Sequence, residues 1–413
     1  MAESVGNPRS VATAAPAVTV LVNHTSGQYP IRIEAQRYGT LGQTFREIFG
    51  NRPRSVVIVS TPKVAQLYAS AVTDGLAATG FRPYVCLIPD GERFKTLRTV
   101  ARIWDFCIGR RIERQDVLVA LGGGVVGDIT GFAAATYLRG VALVQLPTTL
   151  LAMIDSAVGG KTGINHRAGK NLIGAFHQPD LVVADLETLT TLPRREWNAG
   201  WHEAIKYGVI RDADLFARLE ARLPLALNQP LPWDWLAAVV ADCCRIKAAI
   251  VAHDERERGE RKVLNFGHTV GHALEAVTHY RRFRHGEAVG IGMVAACQVA
   301  VRVGKLSADE ALRLQRLVQQ VGQMPSTDGI TVAALLEAIR HDKKVSQGQI
   351  RFILPSRIGF AEEYTGSVEE VLPEALAATL SIFSKHRPER QRRPQAPRKN
   401  DPSTCFQEAI VSD

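Results

Sequence analysis

Residues 117–176 read VLVALGGGVVGDITGFAAATYLRGVALVQLPTTLLAMIDSAVGGKTGINHRAGKNLIGAF, and this stretch decides the fold class. The short apolar run Val117 to Leu121 has the length and composition of a fully buried strand. Gly122, Gly123, Gly124 and Gly127 follow, and then an apolar, alanine-rich segment that predicts a helix to about Leu138. A second buried strand, Val141 to Leu146, ends at Pro147-Thr148-Thr149. A strand feeding a glycine turn and a helix points backbone N–H groups at one spot, where a diphosphate binds well. Gly122, Gly124 and Gly127 also fit G-x-G-x-x-G, a weak signal alone. The next strand lacks the acidic end residue of an ordinary dinucleotide site, which disfavours a plain Rossmann dehydrogenase.

Asp155, Lys161, Lys170 and Asn171 fall in the glycine-rich segment behind the second strand. Two lysines, an amide and a carboxylate there suit a phosphorylated, hydroxyl-rich ligand, though a solvated loop would also carry them. Upstream, Ser55 to Ser60 and Tyr84 to Ile88 read as strands, with a helix from Val64 to Thr79 between them. A second helix runs to about Arg110, and Val18–Val22 with Ile31–Ile33 form a strand pair. This alternation predicts a Rossmann-like α/β domain over 17–187, after a disordered start at 1–16. Leu181 to Asp185 supplies a last strand. Beyond it the apolar spacing becomes three and four, through Trp201–Ile210, Asp214–Leu223 and Leu236–His253. A mainly α-helical domain is expected over 188–384.

Bulk properties bound the function. With 413 residues, 46% of them hydrophobic and 22% charged, the chain can bury the cores of two soluble domains. Its six cysteines form no C-x-x-C pair and sit mostly in apolar runs, as free thiols do in a reducing compartment. No signal-peptide pattern opens the chain and no apolar run reaches membrane-spanning length, so a cytoplasmic protein is expected. The net charge of +9 raises the question of nucleic acid. Part of the excess lies in KHRPERQRRPQAPRKN, residues 385–400, within a predicted disordered tail over 385–413. A polyanionic substrate accounts for part of the rest, and no specific nucleic acid is expected.

The helical half carries three motifs. In Gly200-Trp201-His202-Glu203-Ala204-Ile205-Lys206, Glu203 and Lys206 share a helix face, which also suits a simple ion pair. In Arg261-Lys262-Val263-Leu264-Asn265-Phe266-Gly267-His268-Thr269-Val270-Gly271-His272, two histidines stand four apart, with glycines that allow close approach. His285-Gly286-Glu287 adds a histidine at the start of another apolar helix. One carboxylate with two imidazoles is a familiar catalytic Zn²⁺ set.

The order GGGVVGD, TYLRG, PTTLL, DSAVGGKTGIN and GKNLIGAF resembles the 3-dehydroquinate synthases, a branch of the sugar phosphate cyclases, from about Ser55 to Phe360. The resemblance implies that Glu203, His268 and His285 bind Zn²⁺ or Co²⁺, with His272 near the substrate; His202 departs from the small residue usual before the glutamate and reads as support behind the ligands or as packing. It places Asp90, Glu92 and Lys95 of the D-G-E-x-x-K segment on NAD, together with Gly123, Gly124, Val125, Gly127, Asp128, Thr148, Thr149, Lys161, Lys170 and Thr188. Read without the family, Asp90 suits a helix cap. Around the substrate it puts Arg139, Asp155, Lys161, Asn171, Lys206, Lys247, Arg261, Asn265 and His272, with Lys344 favoured over Lys343 for phosphate.

The implied reaction turns 3-deoxy-D-arabino-heptulosonate 7-phosphate into 3-dehydroquinate and phosphate by transient oxidation, β-elimination, re-reduction and aldol closure, in a homodimer. Rival readings are a cyclase for an amino analogue or for sedoheptulose 7-phosphate, a metal-dependent polyol dehydrogenase, and a non-catalytic binding protein. Retention of Lys161, Lys247, Asn265 and His272 favours the carboxylated heptulosonate.

Overall fold

A computed structural model describes residues 17–52, 54–226, 231–341, 345–346 and 349–385. The start at 1–16, Lys343, Lys344, Cys405 and the tail from 386 lie outside the described residues.

Nine strands and four helices come first. They are β1 (Val18–His24), β2 (Gly27–Glu34), α1 (Leu41–Phe49), β3 (Ser55–Ser60), α2 (Pro62–Ala77), β4 (Arg82–Leu87), α3 (Leu97–Gly109), β5 (Val117–Gly122), α4 (Gly124–Thr136), β6 (Ala142–Pro147), β7 (Lys161–His166), β8 (Gly169–Phe176) and β9 (Leu181–Asp185). Seven strands form one sheet in the order β1-β2-β9-β6-β5-β3-β4. Its strands from β2 to β4 are parallel, and β1 is an antiparallel edge. β3, β5 and β9 are buried along their whole length, as the unbroken apolar runs require. The strand order reverses between β3 and β5, so a crevice opens beyond their carboxyl ends. α4 is apolar nearly all round because it is covered twice, by the sheet and by the separate β7–β8 hairpin.

The second half is helical: α5 (Arg194–Arg211), α6 (Ala213–Ala226), α7 (Trp233–His253), α8 (His268–Val277), α9 (His285–Arg302), α10 (Ala308–Gln320), α11 (Val332–His341) and α12 (Leu372–Ile382). A short antiparallel pair, Phe352–Arg357 with Phe360–Tyr364, interrupts it. The β1–β2 pair does not pack only with its own sheet. Val20, Val22, Tyr29, Ile31 and Ile33 share one core with α5, α7 and α9. Among the described residues, no helix is long and apolar enough to cross a membrane. The five described cysteines are free and buried.

Candidate active site

One cleft of about 1820 Å³ runs between the sheet's carboxyl edge and the helices. That exceeds the ~300–1,000 Å³ of an ordinary small-molecule pocket, so it has room for two ligands. At one end lies the N-terminus of α4. Gly123, Gly124, Val125 and Asp128 line this end with Thr148 and Thr149 from the end of β6. Glycine is needed here for space: a Cβ on Gly124 would sit 2.8 Å from Ser156 Oγ. Gly127 does not line the cleft; a Cβ there would lie 2.9 Å from Gln145 Oε1, so it serves the contact of α4 with β6.

Asp90, Glu92 and Lys95 form another wall of this end. Asp90 caps no helix: α3 begins after Thr96, and Gly91 precedes the short turn at Glu92. Lys95 is buried, pairs with Asp128 and donates to Asn171 Oδ1 at 2.6 Å. Asn165 Nδ2 donates to Glu92 Oε1 at 2.7 Å. These bonds tie the β7–β8 hairpin to the segment after β4. Thr188 is buried away from the cleft, with its hydroxyl on Asp185 O at 2.7 Å.

The middle of the cleft is a chain of buried charges. Asp155 sits in a π-helical turn, Ala152–Ser156, of a kind often found at functional sites. Its carboxylate takes the Lys247 ammonium and the Tyr207 hydroxyl, the latter at 2.9 Å. Burial alone would raise the Asp155 pKa, but Lys247 and Lys206 outweigh it and hold the group well below the usual carboxylate range. Burial pulls Lys247 down to about 8 despite the Asp155 partner. Lys206 is as deeply buried, yet Glu203 and Asp155 outweigh burial and raise it. Arg261 is buried too, donating to Gly159 O at 2.9 Å and to Glu255 O. Lys161 pairs with Glu257, whose other oxygen accepts from Asn265 Nδ2 at 2.7 Å.

At the far end Glu203, His268 and His285 place their ligand atoms within 4.8 Å of one another. Glu203 is wholly buried just under the cleft floor. Its Oε1 accepts no hydrogen bond and lies 3.8 Å from His268 Nε2 and 3.7 Å from His285 Nε2. A carboxylate oxygen left so, facing two imidazoles, fits a divalent cation. His202 points elsewhere: its ring packs over Gly290 and its Nε2 lies 3.4 Å from Val318 O.

Among the described residues, Gly127, Thr188 and Arg139 stay away from the cleft, the last of them exposed beside Gly140, and Glu203 lies just beneath its floor. Among the cleft residues that the sequence does not single out are Glu275 and Glu257. Glu275 follows His268 by seven on α8, a helical spacing that would have flagged it, whereas Glu257 stands on a loop without any periodic signal.

Residues 85–199 match the family described as "3-dehydroquinate synthase N-terminal", and residues 200–345 match "3-dehydroquinate synthase C-terminal". The chain is 47% identical over 341 residues to the 3-dehydroquinate synthase of Nostoc punctiforme, covering 82% of this chain and 93% of the relative. The chain belongs to the 3-dehydroquinate synthase family. A second family member, from Synechococcus, is 50% identical over 325 residues, which cover 78% of this chain and 88% of that protein. Solved structures of similar fold include ValA, a 2-epi-5-epi-valiolone synthase from Streptomyces hygroscopicus with NAD⁺ and Zn²⁺ bound. It is 27% identical with a TM-score of 0.76, covering 88% of this chain and 98% of its own. A 2-deoxy-scyllo-inosose synthase, complexed with carbaglucose-6-phosphate, NAD⁺ and Co²⁺, has a TM-score of 0.78 at 24% identity. Its match covers 87% of this chain and 99% of its own. At that identity the likeness is one of fold, whereas the two dehydroquinate synthases match in sequence over about four fifths of the chain.

Proposed function

We propose that this chain is a 3-dehydroquinate synthase, forming 3-dehydroquinate and phosphate from 3-deoxy-D-arabino-heptulosonate 7-phosphate on the shikimate route to aromatic amino acids. The observation that carries the reading is the Glu203–His268–His285 cluster and the α4 N-terminus at opposite ends of one cleft, with buried lysines between. Identity of 47% and 50% to family members of that name favours the heptulosonate over the substrates of other cyclases.

In this reading residues 17–187 are the nucleotide half and 188–384 the metal half. Glu203, His268 and His285 hold Zn²⁺ or Co²⁺. The α4 N-terminus, with Asp90, Glu92, Lys95, Thr148, Thr149 and Lys170, holds NAD. When bound, these groups supply transient hydride acceptance and Lewis-acid polarisation. The chain's own residues fix the substrate. Lys247 is positively charged at neutral pH and, with Lys161 and Asn265, binds its carboxylate and hydroxyls. Asp155 stays ionised and orients Lys247. Lys206 balances the buried charge of Glu203, and Arg261 supplies positive charge for the phosphate. His272 and Asn171 complete the wall. Fixing every group in one pose makes the elimination and aldol steps effectively unimolecular. In the same reading the enzyme works in the cytoplasm as a homodimer.

The test is phosphate release from the heptulosonate phosphate with NAD⁺ and Zn²⁺ or Co²⁺, with a chelator control and absorbance followed for NADH. Phosphate and dehydroquinate without net NADH, lost with chelator, are expected. Glu203→Ala and His268→Ala should abolish metal-dependent release. Steady NADH accumulation would instead make the protein a dehydrogenase, and turnover of only an amino or sedoheptulose analogue would change the substrate.

A further inference from the structure

The carboxylate of Glu275 has no part in the roles above. It lies on α8, seven residues after His268 and three after His272, so it shares their face. The residue is 3% exposed, and each of its oxygens has a partner. Oε2 lies 3.2 Å from His285 Nδ1, and Oε1 accepts from Lys170 Nζ at 3.1 Å. Lys170 comes from β8, more than a hundred residues away in sequence, and its ammonium stands 4.2 Å from the centroid of the Tyr280 ring. The Tyr280 N–H in turn donates to Glu275 O at 2.7 Å. The Glu275 carboxylate is therefore braced by Lys170, and its backbone by Tyr280, while it holds one nitrogen of His285.

Two groups of side chains have metal-ligand spacing, and they share His285: Glu203–His268–His285 and His272–Glu275–His285. An imidazole presents Nε2 and Nδ1 in opposite directions, so each nitrogen serves one group. His285 Nε2 faces Glu203 Oε1, the buried oxygen that accepts no hydrogen bond, and Nδ1 faces Glu275. An ion on the Nε2 side gives Glu203 a partner and leaves Nδ1–H to donate to Glu275. An ion on the Nδ1 side would compete with Lys170 for Glu275 and leave Glu203 Oε1 without a partner.

We propose that Glu275 is a positioning residue for the metal centre: it accepts the Nδ1 proton of His285, directs Nε2 toward Glu203, and is braced by Lys170. The inference rests on the reading of Glu203, His268 and His285 as the metal set. Carboxylates behind a metal-binding histidine fix its tautomer and raise its basicity, and losing one typically costs about 10–100-fold in affinity. The hairpin that walls the nucleotide end thus contributes to how tightly the ion is held at the other.

The experiment titrates Zn²⁺ into chelator-stripped full-length protein against a chromophoric chelator, so that metal Kd, not turnover, is read. The variants are Glu275→Ala, Glu275→Gln, Lys170→Met, His268→Ala and Glu203→Ala, with circular dichroism of each metal-free protein as the fold check. Glu275→Ala should weaken binding by about 10–100-fold. Glu275→Gln should recover part of that, since its amide oxygen still accepts the Nδ1 proton. Should the alanine variant fail to fold, the glutamine variant still carries the test, with a loss expected. Lys170→Met should weaken binding by less, and His268→Ala and Glu203→Ala should lose the site.

Affinity unchanged in both Glu275 variants, with His268→Ala losing the metal, would overturn the positioning role and leave the metal set standing. Loss in Glu275→Ala with affinity retained in Glu203→Ala would make Glu275 itself a ligand. Retention in both His268→Ala and Glu203→Ala would remove the metal set and the inference together.

Discussion

The cleft's chemistry rests on lysines buried against carboxylates, and such pairs are expensive to break singly. Lys206 lies 2.5 Å from Glu203 Oε2 with almost no exposure of either side chain. Removing one partner of a buried pair typically costs about 3–5 kcal/mol. Lys206→Met should therefore lower the stability of the metal-free protein by about 3 kcal/mol, read from urea unfolding; a loss below about 1 kcal/mol would mean the pair is hydrated in solution. Lys247 makes a different prediction. With its pKa pulled down to about 8, it is an ammonium below that pH and neutral above it. If it holds the substrate carboxylate, kcat/KM should fall as pH rises through 8. Lys247→Arg stays charged past about pH 12, so any activity it retains should lose that alkaline limb. A limb that survives in Lys247→Arg would assign it to another group. The lysines and histidines of this site were legible because they stand in long motifs. Glu257 was not, because its position comes from a loop with a left-handed backbone at φ 57° rather than from any repeating pattern. Arg139 and Thr188 show the converse: each stands by a recognisable motif, yet the fold turns Arg139 to solvent and buries Thr188 on Asp185.

Elements reach the site through glycine contacts between helices. A Cβ on Gly292 of α9 would lie 1.9 Å from Gly267 O, just before α8, and one on Gly286 would lie 2.0 Å from Ala199 O of α5. Both contacts are with backbone, which cannot yield as a flexible side chain does. This close approach lets Glu203 on α5, His268 on α8 and His285 on α9 converge. Gly292→Ala should cost about 1–3 kcal/mol by overpacking and should also weaken metal binding, because α8 and α9 must separate. Gly109→Ala, where a Cβ meets nothing within 4 Å, is the control and should leave the melting temperature level or slightly raised. Equal melting temperatures for the two variants would show that the helices can shift apart freely. At this scale the buried strands and long helices follow directly from apolar runs and spacing. The β7–β8 hairpin does not, because GKNLIGAF is glycine-rich and half exposed and lacks a strand's apolar face. The pair at Phe352–Arg357 and Phe360–Tyr364 is equally hidden, being short and broken by Pro355.

Across the whole molecule, the sheet and the helices do not own separate interiors. The β1–β2 pair is the first described element and edges the sheet, yet Val20, Val22, Tyr29, Ile31 and Ile33 are buried in the core of α5, α7 and α9. Leu150, Met153 and Ile154 join that same core from the segment that carries Asp155. Polar bonds cross in parallel: Gly159 N–H donates to Tyr29 Oη at 3.0 Å, Arg261 Nη2 to Gly159 O, and Tyr207 Oη to Asp155. Melting one half alone would expose the apolar face of the other and strand buried charges, so the halves should unfold together. The tryptophans allow this to be read. Trp104 lies on α3 beside the sheet, whereas Trp197, Trp201, Trp233 and Trp235 lie on α5 and α7. In a Trp104→Phe variant, fluorescence reports the helical half only, while far-ultraviolet circular dichroism reports both. Coincidence of the two probes is a test of a single cooperative transition. If the helical fluorescence melts before or after the dichroism, the core shared by β1–β2 and α7 is too weak to couple the halves, and the site between them would open without global unfolding.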